Sequence, residues 1–221
     1  MSRFEAIVFD LDGTLVETAP DLQAILADVL AEIDLQAPSV DTTRPLIGRG
    51  ARRLVEASLE HADHPIDPLL LDRLHRRFME IYNAKPCRLS TPYDGVADVL
   101  EVFAGEGRLM GVCTNKPQKP SDALLEALDL ARYFGSIIGA DALPVRKPDP
   151  AHLLAVIDAL GASRESAVMI GDSATDLNTA RALGVPCVLV SFGYTEISAH
   201  ELGSDRVIDH FSMLPQTLAT L

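Results

Sequence analysis

The sequence predicts an α/β protein: a doubly wound, Rossmann-like parallel-sheet core with an all-helical segment inserted just after the first strand. Three observations predict it. Ala6-Ile7-Val8 is an apolar run of buried-strand length, and it ends in Phe9-Asp10-Leu11-Asp12-Gly13-Thr14, where Gly13 and Thr14 break it into a loop. Residues 16–85 then carry helical periodicity almost throughout. From Asp94 onward, strand-length apolar runs alternate with helical ones, the pattern of a parallel sheet covered on both faces. The expected division is an α/β core of 1–15 and 86–221 around a helical cap of 16–85.

Within the insert, Leu22, Ile25, Leu26, Val29, Leu30 and Ile33 repeat at the spacing of one helix face, and Pro38 closes the region. Leu54, Val55 and Leu59 predict a second helix after Gly48-Arg49-Gly50. Asp67-Pro68 supplies an N-cap and a first-turn proline for a third, with Leu71, Leu74, Phe78 and Ile81 on one face. Beyond Pro86 and Pro92, a helix over 96–103 leads to a strand at Leu109–Cys113. A helix through Leu124, Leu125 and Leu128 leads to a strand at Ser136–Ile138. Asp149-Pro150 caps a helix carrying Leu153, Ile157 and Leu160, which Gly161 ends. A strand at 167–170, a helix over 173–183 closed by Gly184, and a strand at Cys187–Val190 complete the alternation. A helical insert beside the carboxyl end of the first strand is placed to act as a lid.

With 221 residues, 48% hydrophobic and 23% charged, the chain can bury a sizeable core. No apolar stretch approaches the roughly 20 residues of a membrane span. Met1-Ser2-Arg3-Phe4-Glu5 lacks a signal-peptide pattern, so the expected location is the cytoplasm, with no membrane partner. Cys87, Cys113 and Cys187 are odd in number and widely spaced, which suits reduced thiols and offers no metal cluster. The formal charge of −13 argues against a nucleic-acid partner. It also means that an anionic substrate must be held by a local cluster of cations or by a metal.

The polar residues that follow each core strand carry the functional reading. Asp10 and Asp12 follow the first strand; residues two apart in an extended chain point the same way, so both can address one reacting atom. Thr114-Asn115 follows the strand ending at Cys113, and Gly171-Asp172 follows the strand at 167–170, with Asp176 four residues on. Arg146-Lys147-Pro148 leads into a helix. In a parallel sheet these positions reach one edge, where such folds place ligands. Two-step phosphoryl transfer through an enzyme carboxylate calls for such a set. Asp10 suits the nucleophile and Asp12 the general acid and base. Asp10 and Asp172 can hold Mg2+, which takes oxygen ligands. Thr114 and Lys147 can bind the phosphoryl oxygens, with Asn115 beside them as a substrate contact.

The set Asp10-Leu11-Asp12-Gly13-Thr14, Thr114-Asn115, Lys147-Pro148 and Gly171-Asp172 with Asp176 resembles the haloacid dehalogenase-like hydrolase superfamily. The motifs stand in that superfamily's order across essentially the whole chain, and the insert lies where it places its type 1 cap. The resemblance implies an aspartyl-phosphate intermediate on Asp10, with Asp12 as acid and base and its backbone carbonyl on Mg2+. It implies phosphoryl binding by Thr114 and Lys147, Asp172 as a metal ligand, and Asp176 behind the ligands. Asp12 speaks against dehalogenation, whose leaving halide needs no proton. Gly171-Asp172, where phosphomutases of the β-phosphoglucomutase type tend to carry an acidic pair, favours a phosphatase over a mutase. Runs at 112–117, 124–134 and 192–195 are similar to bacterial phosphoglycolate phosphatases. That likeness implies a small anionic phosphorylated metabolite, 2-phosphoglycolate, hydrolysed to glycolate and phosphate. Phosphatases of other sugar or nucleotide monophosphates, a phosphomutase, and a non-enzymatic phospho-acceptor domain of the receiver kind stay open beside it.

Arg44, Arg49, Arg52 and Arg53 form the dense basic patch of the insert. Arg49, between two glycines, is the candidate clamp for a substrate carboxylate. The alternative is a solvated face in which Arg52 pairs with Glu56 four residues on. All six histidines are expected in surface or loop positions, and Lys116 is placed between sensing the substrate and facing solvent.

Overall fold

The computed structural model describes residues 4–85, 87–195 and 197–221. Residues 1–3 lie outside that set, and so does Pro86, where the insert was expected to give way to the core. The chain runs β1 (Ala6–Phe9), β2 (Val16–Glu17), then helices α1 (Ala19–Ala31), α2 (Val40–Thr43), α3 (Ala51–His61) and α4 (Pro68–Ala84). It continues through β3 (Thr91–Pro92), α5 (Val96–Gly105), β4 (Leu109–Cys113), α6 (Gln118–Ala127), β5 (Ser136–Ile138) and α7 (Pro150–Ala159). The last elements are β6 (Ala167–Gly171), α8 (Ala174–Leu183), β7 (Cys187–Val190), α9 (Ala199–Leu202), β8 (Arg206–Ile208) and α10 (Leu214–Thr220).

Six strands form one parallel sheet in the order β5-β4-β1-β6-β7-β8. β1 lies in the middle, with Phe9 opposite both Val112 and Ile170. The strand order reverses there, and the crevice of such a sheet opens at the carboxyl ends beside the reversal. Alternate residues of β1 serve opposite faces. Ile7 and Phe9 pack with Leu100 and Phe211, whereas Ala6 and Val8 pack with Leu153, Ile157 and Leu177. The doubly wound reading therefore holds in detail.

Helices α1, α3 and α4 share a third apolar cluster of their own, built on Leu26, Leu30, Leu59, Leu74 and Phe78. Each such fully buried side chain contributes about 1.5–3 kcal/mol relative to exposure. The buried face of α4 runs Leu71, Leu74, Phe78 and Tyr82, not Ile81, which is only partly covered. Steps of three and four from Phe78 reach both positions, and only packing decides between them. The ion pair expected between Arg52 and Glu56 is also different. Arg53 bonds Glu56 and Glu60 at 3.0 and 2.9 Å, while Arg52 reaches across to Asp72 at 2.8 Å.

Chain exit and return are joined by the antiparallel pair β2–β3, with Val16 opposite Pro92 and Glu17 opposite Thr91. Asp21, buried in the first turn of α1, holds the returning chain: its Oδ2 accepts from Arg88 N, Leu89 N, Ser90 N and Ser90 Oγ at 2.6–3.0 Å. Burial opposes ionisation of Asp21, and the four donors outweigh it and keep its pKa below the usual value. No helix among the described residues is long and apolar enough to cross a membrane.

Candidate active site

Asp10 extends β1 by one residue, its N–H donating to Ile170 O at 2.8 Å, and so lies beside the end of β6. Asp172 follows β6 directly. Asp176 comes from the first turn of α8 and is fully buried. Carboxylate oxygens of Asp10, Asp172 and Asp176 all lie within 4.8 Å of one another. Gly171 permits that approach, because a Cβ there would sit 2.4 Å from Asp176 Cβ. Gly13, at φ +83°, does the same on the other side, where a Cβ would lie 2.5 Å from Asp172 Oδ2.

One cation bridges the cluster. Lys147 Nζ lies 2.8 Å from Asp10 Oδ1 and 2.7 Å from Asp176 Oδ1. Burial alone would lower the lysine's pKa; Asp10 and Asp176 outweigh it and hold the ammonium charged. The carboxyls move the other way. Burial pushes Asp10 up to about 7 against the pull of Lys147, and burial with Asp176 and Asp10 nearby raises Asp172 well above its usual value. Three buried carboxylates facing one lysine leave a deficit of positive charge. A divalent cation with a preference for oxygen fits that donor set.

Asp176 is the least available of the three. Its Oδ2 accepts from Asp172 N, Ser173 N and Ser173 Oγ at 2.9–3.2 Å, while Oδ1 takes Lys147. It orders the turn from which Asp172 projects. Tyr194 N donates to Asp172 Oδ2 at 2.5 Å, and the Tyr194 hydroxyl accepts from Thr18 N and Ala19 N and donates to Glu17.

Asp12 stands apart from the three, with its Oδ1 2.8 Å from Lys116 Nζ. Lys116 is only 4% exposed, which removes the solvent-facing alternative for it. Thr114 is buried beside Asp12, and its Oγ1 accepts from Lys116 N at 3.1 Å, which leaves its proton to donate. Asn115 Nδ2 donates to Lys147 O and to Gly48 O of the helical insert, at 3.1 and 3.0 Å. Asn115 therefore ties insert to core, a function its position after Thr114 did not signal.

A small cavity of about 30 Å³ lies over Asp10 and Asp12. Thr114, Asn115 and Lys116 line its core side, and Leu22, Ile47, Gly48, Leu54 and Tyr82 line the insert side. Arg49 does not line it. That exposed side chain borders an adjacent groove of about 570 Å³ with Arg52, Arg53 and Arg146.

His152 corrects the expectation that every histidine sits on the surface or in a loop. It lies in α7 and is fully buried. Its Nδ1 accepts from Lys147 N at 3.1 Å, so the neutral ring's Nε2 donates to Ile138 O at 3.2 Å. The ring holds the Lys147 loop against β5. Burial, then Lys147, depress its pKa to about 4. An unfolded histidine takes up its proton near pH 6.5, so the unfolded chain binds protons first as pH falls. The stability that neutral His152 contributes is full above pH 6.5 and declines from there toward pH 4. In His152→Gln the loss of urea stability between pH 8 and pH 5 should shrink; an unchanged loss would refute this placing of the proton.

The description of haloacid dehalogenase-like hydrolases matches residues 7–190, which contain every strand-end motif above. The chain belongs to the haloacid dehalogenase-like hydrolase family. Among relatives of this hydrolase, a phosphoglycolate phosphatase from Caulobacter vibrioides is 45% identical over 215 residues, covering 97% of this chain and 91% of that protein. A phosphoglycolate phosphatase from Mesorhizobium japonicum is 42% identical over 219 residues, covering 99% and 96%. The solved structure of a predicted phosphoglycolate phosphatase from Haemophilus somnus superposes with a TM-score of 0.91 at 28% identity, covering 98% of this chain and 99% of that one. CbbY from Rhodobacter sphaeroides, solved in complex with phosphate, superposes at 0.82 with 26% identity, covering 99% and 100%. On these matches the haloacid dehalogenase-like hydrolase described here is a phosphoric monoester hydrolase.

Proposed function

We propose that the protein hydrolyses 2-phosphoglycolate to glycolate and phosphate, with Mg2+, through a phosphorylated Asp10. One observation carries the reading: relatives named phosphoglycolate phosphatase match along nearly the whole chain. Asp10, Asp172 and the Asp12 backbone carbonyl would hold the metal. Bound there, Mg2+ would screen the phosphoryl oxygens from the carboxylates.

The steps fall to the chain's own residues. An Asp10 oxygen attacks phosphorus, and the bond to the leaving oxygen breaks with its electron pair. Asp12 gives that oxygen its proton. Thr114 Oγ1 and Lys147 Nζ bind the phosphoryl oxygens as they redistribute charge. A water then attacks phosphorus, Asp12 takes its proton, and phosphate leaves Asp10 as a carboxylate again. The helices of 19–84 act as a cap that excludes bulk water during transfer. Asp176 holds Lys147 and the Asp172 turn in place.

A phosphate-release panel across small phosphate esters tests the substrate; the highest kcat/KM should fall to 2-phosphoglycolate, and a sugar phosphate in that place would overturn it. Isomerised phosphate in place of free phosphate would indicate a mutase. Asp12→Ala adds a check on the acid. Its loss of turnover should be at least about tenfold greater for alkyl phosphates than for p-nitrophenyl phosphate, whose leaving group departs without a proton. Equal losses would remove Asp12 from that role.

A further inference from the structure

The cavity over Asp10 and Asp12 has mostly apolar walls on the insert side, with one polar exception. Tyr82 of α4 is 2% exposed and lines the cavity; Lys116 stands close enough to donate to its hydroxyl, whose own proton has no acceptor. Facing it, Lys116 Nζ lies 4.8 Å from the centre of the Tyr82 ring and 2.8 Å from Asp12 Oδ1. An ammonium carries three N–H groups; Asp12 and the Tyr82 hydroxyl take up two, and one is left to donate. A buried phenol proton without an acceptor is costly to leave unmet. Both side chains thus present donors toward the same enclosed space.

We propose that Lys116 and Tyr82 bind the carboxylate of the leaving group, in place of the cap arginine that the sequence suggests. The inference rests on the proposed substrate. Its geometric warrant is the shortness of that substrate. In 2-phosphoglycolate the carboxylate is attached to the same carbon as the leaving oxygen. Whatever residue binds it must therefore stand within a few ångströms of the acid that protonates that oxygen. Lys116 is in direct contact with Asp12 and meets this condition. Among the described residues lining the cavity, Lys116 is the one cation. Arg49 borders the neighbouring groove, and Arg52 and Arg53 there are engaged by Asp72 and by Glu56 and Glu60. Lys116 contacts Asp12 and the Tyr82 hydroxyl and offers its remaining donor to the carboxylate; Tyr82 adds a directional O–H beside it.

Ethyl phosphate isolates the effect, because it keeps the two carbons and lacks the carboxylate. The quantity to measure is the ratio of kcat/KM for 2-phosphoglycolate to that for ethyl phosphate, with Mg2+ present. Tyr82→Phe leaves the Lys116–Asp12 contact in place. It should lower the ratio roughly tenfold, mainly through KM for the acid. Lys116→Met should lower the ratio further and also reduce kcat for both esters, since Asp12 loses its partner. Lys116→Arg should recover part of the ratio. Glycolate, which keeps the carboxylate and lacks the phosphoryl group, should inhibit Tyr82→Phe less than the parent. If the parent prefers 2-phosphoglycolate and both variants keep that preference, the pair is not the carboxylate site. If the parent shows no preference, the substrate reading fails, and this inference with it. Should Lys116→Met not fold, Tyr82→Phe decides alone.

Discussion

Asp10→Asn is expected to reduce turnover by at least about a thousandfold while leaving the folded protein as stable as the parent or more so. The first half follows from chemistry: an amide oxygen in place of the carboxylate is a poor nucleophile toward phosphorus and cannot form the same acyl phosphate. The second half follows from the crowding of charge. Asp10 sits with Asp172 and Asp176 in one buried cluster, and burial already raises its pKa to about 7. Removing its charge relieves repulsion, and Lys147 retains Asp176 at 2.7 Å. Steady-state rates and urea midpoints on one preparation check both halves. Turnover within tenfold of the parent would overturn the nucleophile assignment.

Lys147→Met is expected to do the opposite to stability and comparable harm to rate. Lys147 is the cation between Asp10 and Asp176. Without it a buried acidic cluster stands unpaired, which typically costs about 3–5 kcal/mol. Turnover should fall by about a hundredfold or more, because the donor proposed for the phosphoryl oxygens is lost. Millimolar Mg2+ should restore part of the stability by supplying positive charge to the same carboxylates, and little of the rate. A variant whose urea midpoint matches the parent in chelator would show that the cluster does not depend on Lys147 for its charge balance.

The strand-end residues were legible because the sequence changes character where the sheet ends. Phe9 gives way to Asp10, Cys113 to Thr114 and Ile170 to Gly171-Asp172, each after a run too short and too apolar for a surface helix. Parallel topology then brings residues of distant number to one edge, so the sequence alone groups Asp10, Thr114 and Asp172. Contacts that depend on side-chain direction were not legible. Lys116 before Pro117 reads equally as a substrate sensor or a solvent-facing lysine; its pairing with Asp12, 104 residues earlier, follows from the β1–β4 register and the turn after β4. His152 precedes Leu153 on α7 and reads as the polar side of that helix. Only the placing of Lys147 N and Ile138 O shows why a ring is needed there. Tyr82 and Ile81 are adjacent, and periodicity alone does not choose between them. Strands of two residues, such as β2 and β3, have no period to detect.

The Asp21 clamp has a mechanical consequence for the helices it belongs to. By binding residues 88–90 to α1, Asp21 makes the returning chain part of the helical body almost up to β3. The backbone connections left between that body and the sheet are two short straps side by side, hydrogen-bonded to each other as β2 and β3. A body on one strap can swivel in any direction. On two adjacent straps it behaves like a door, turning about the line that joins them and resisting twist. Any opening of the cavity would then follow nearly the same arc, and would bring Ile47, Leu54 and Tyr82 back over Asp10 and Asp12 in one register.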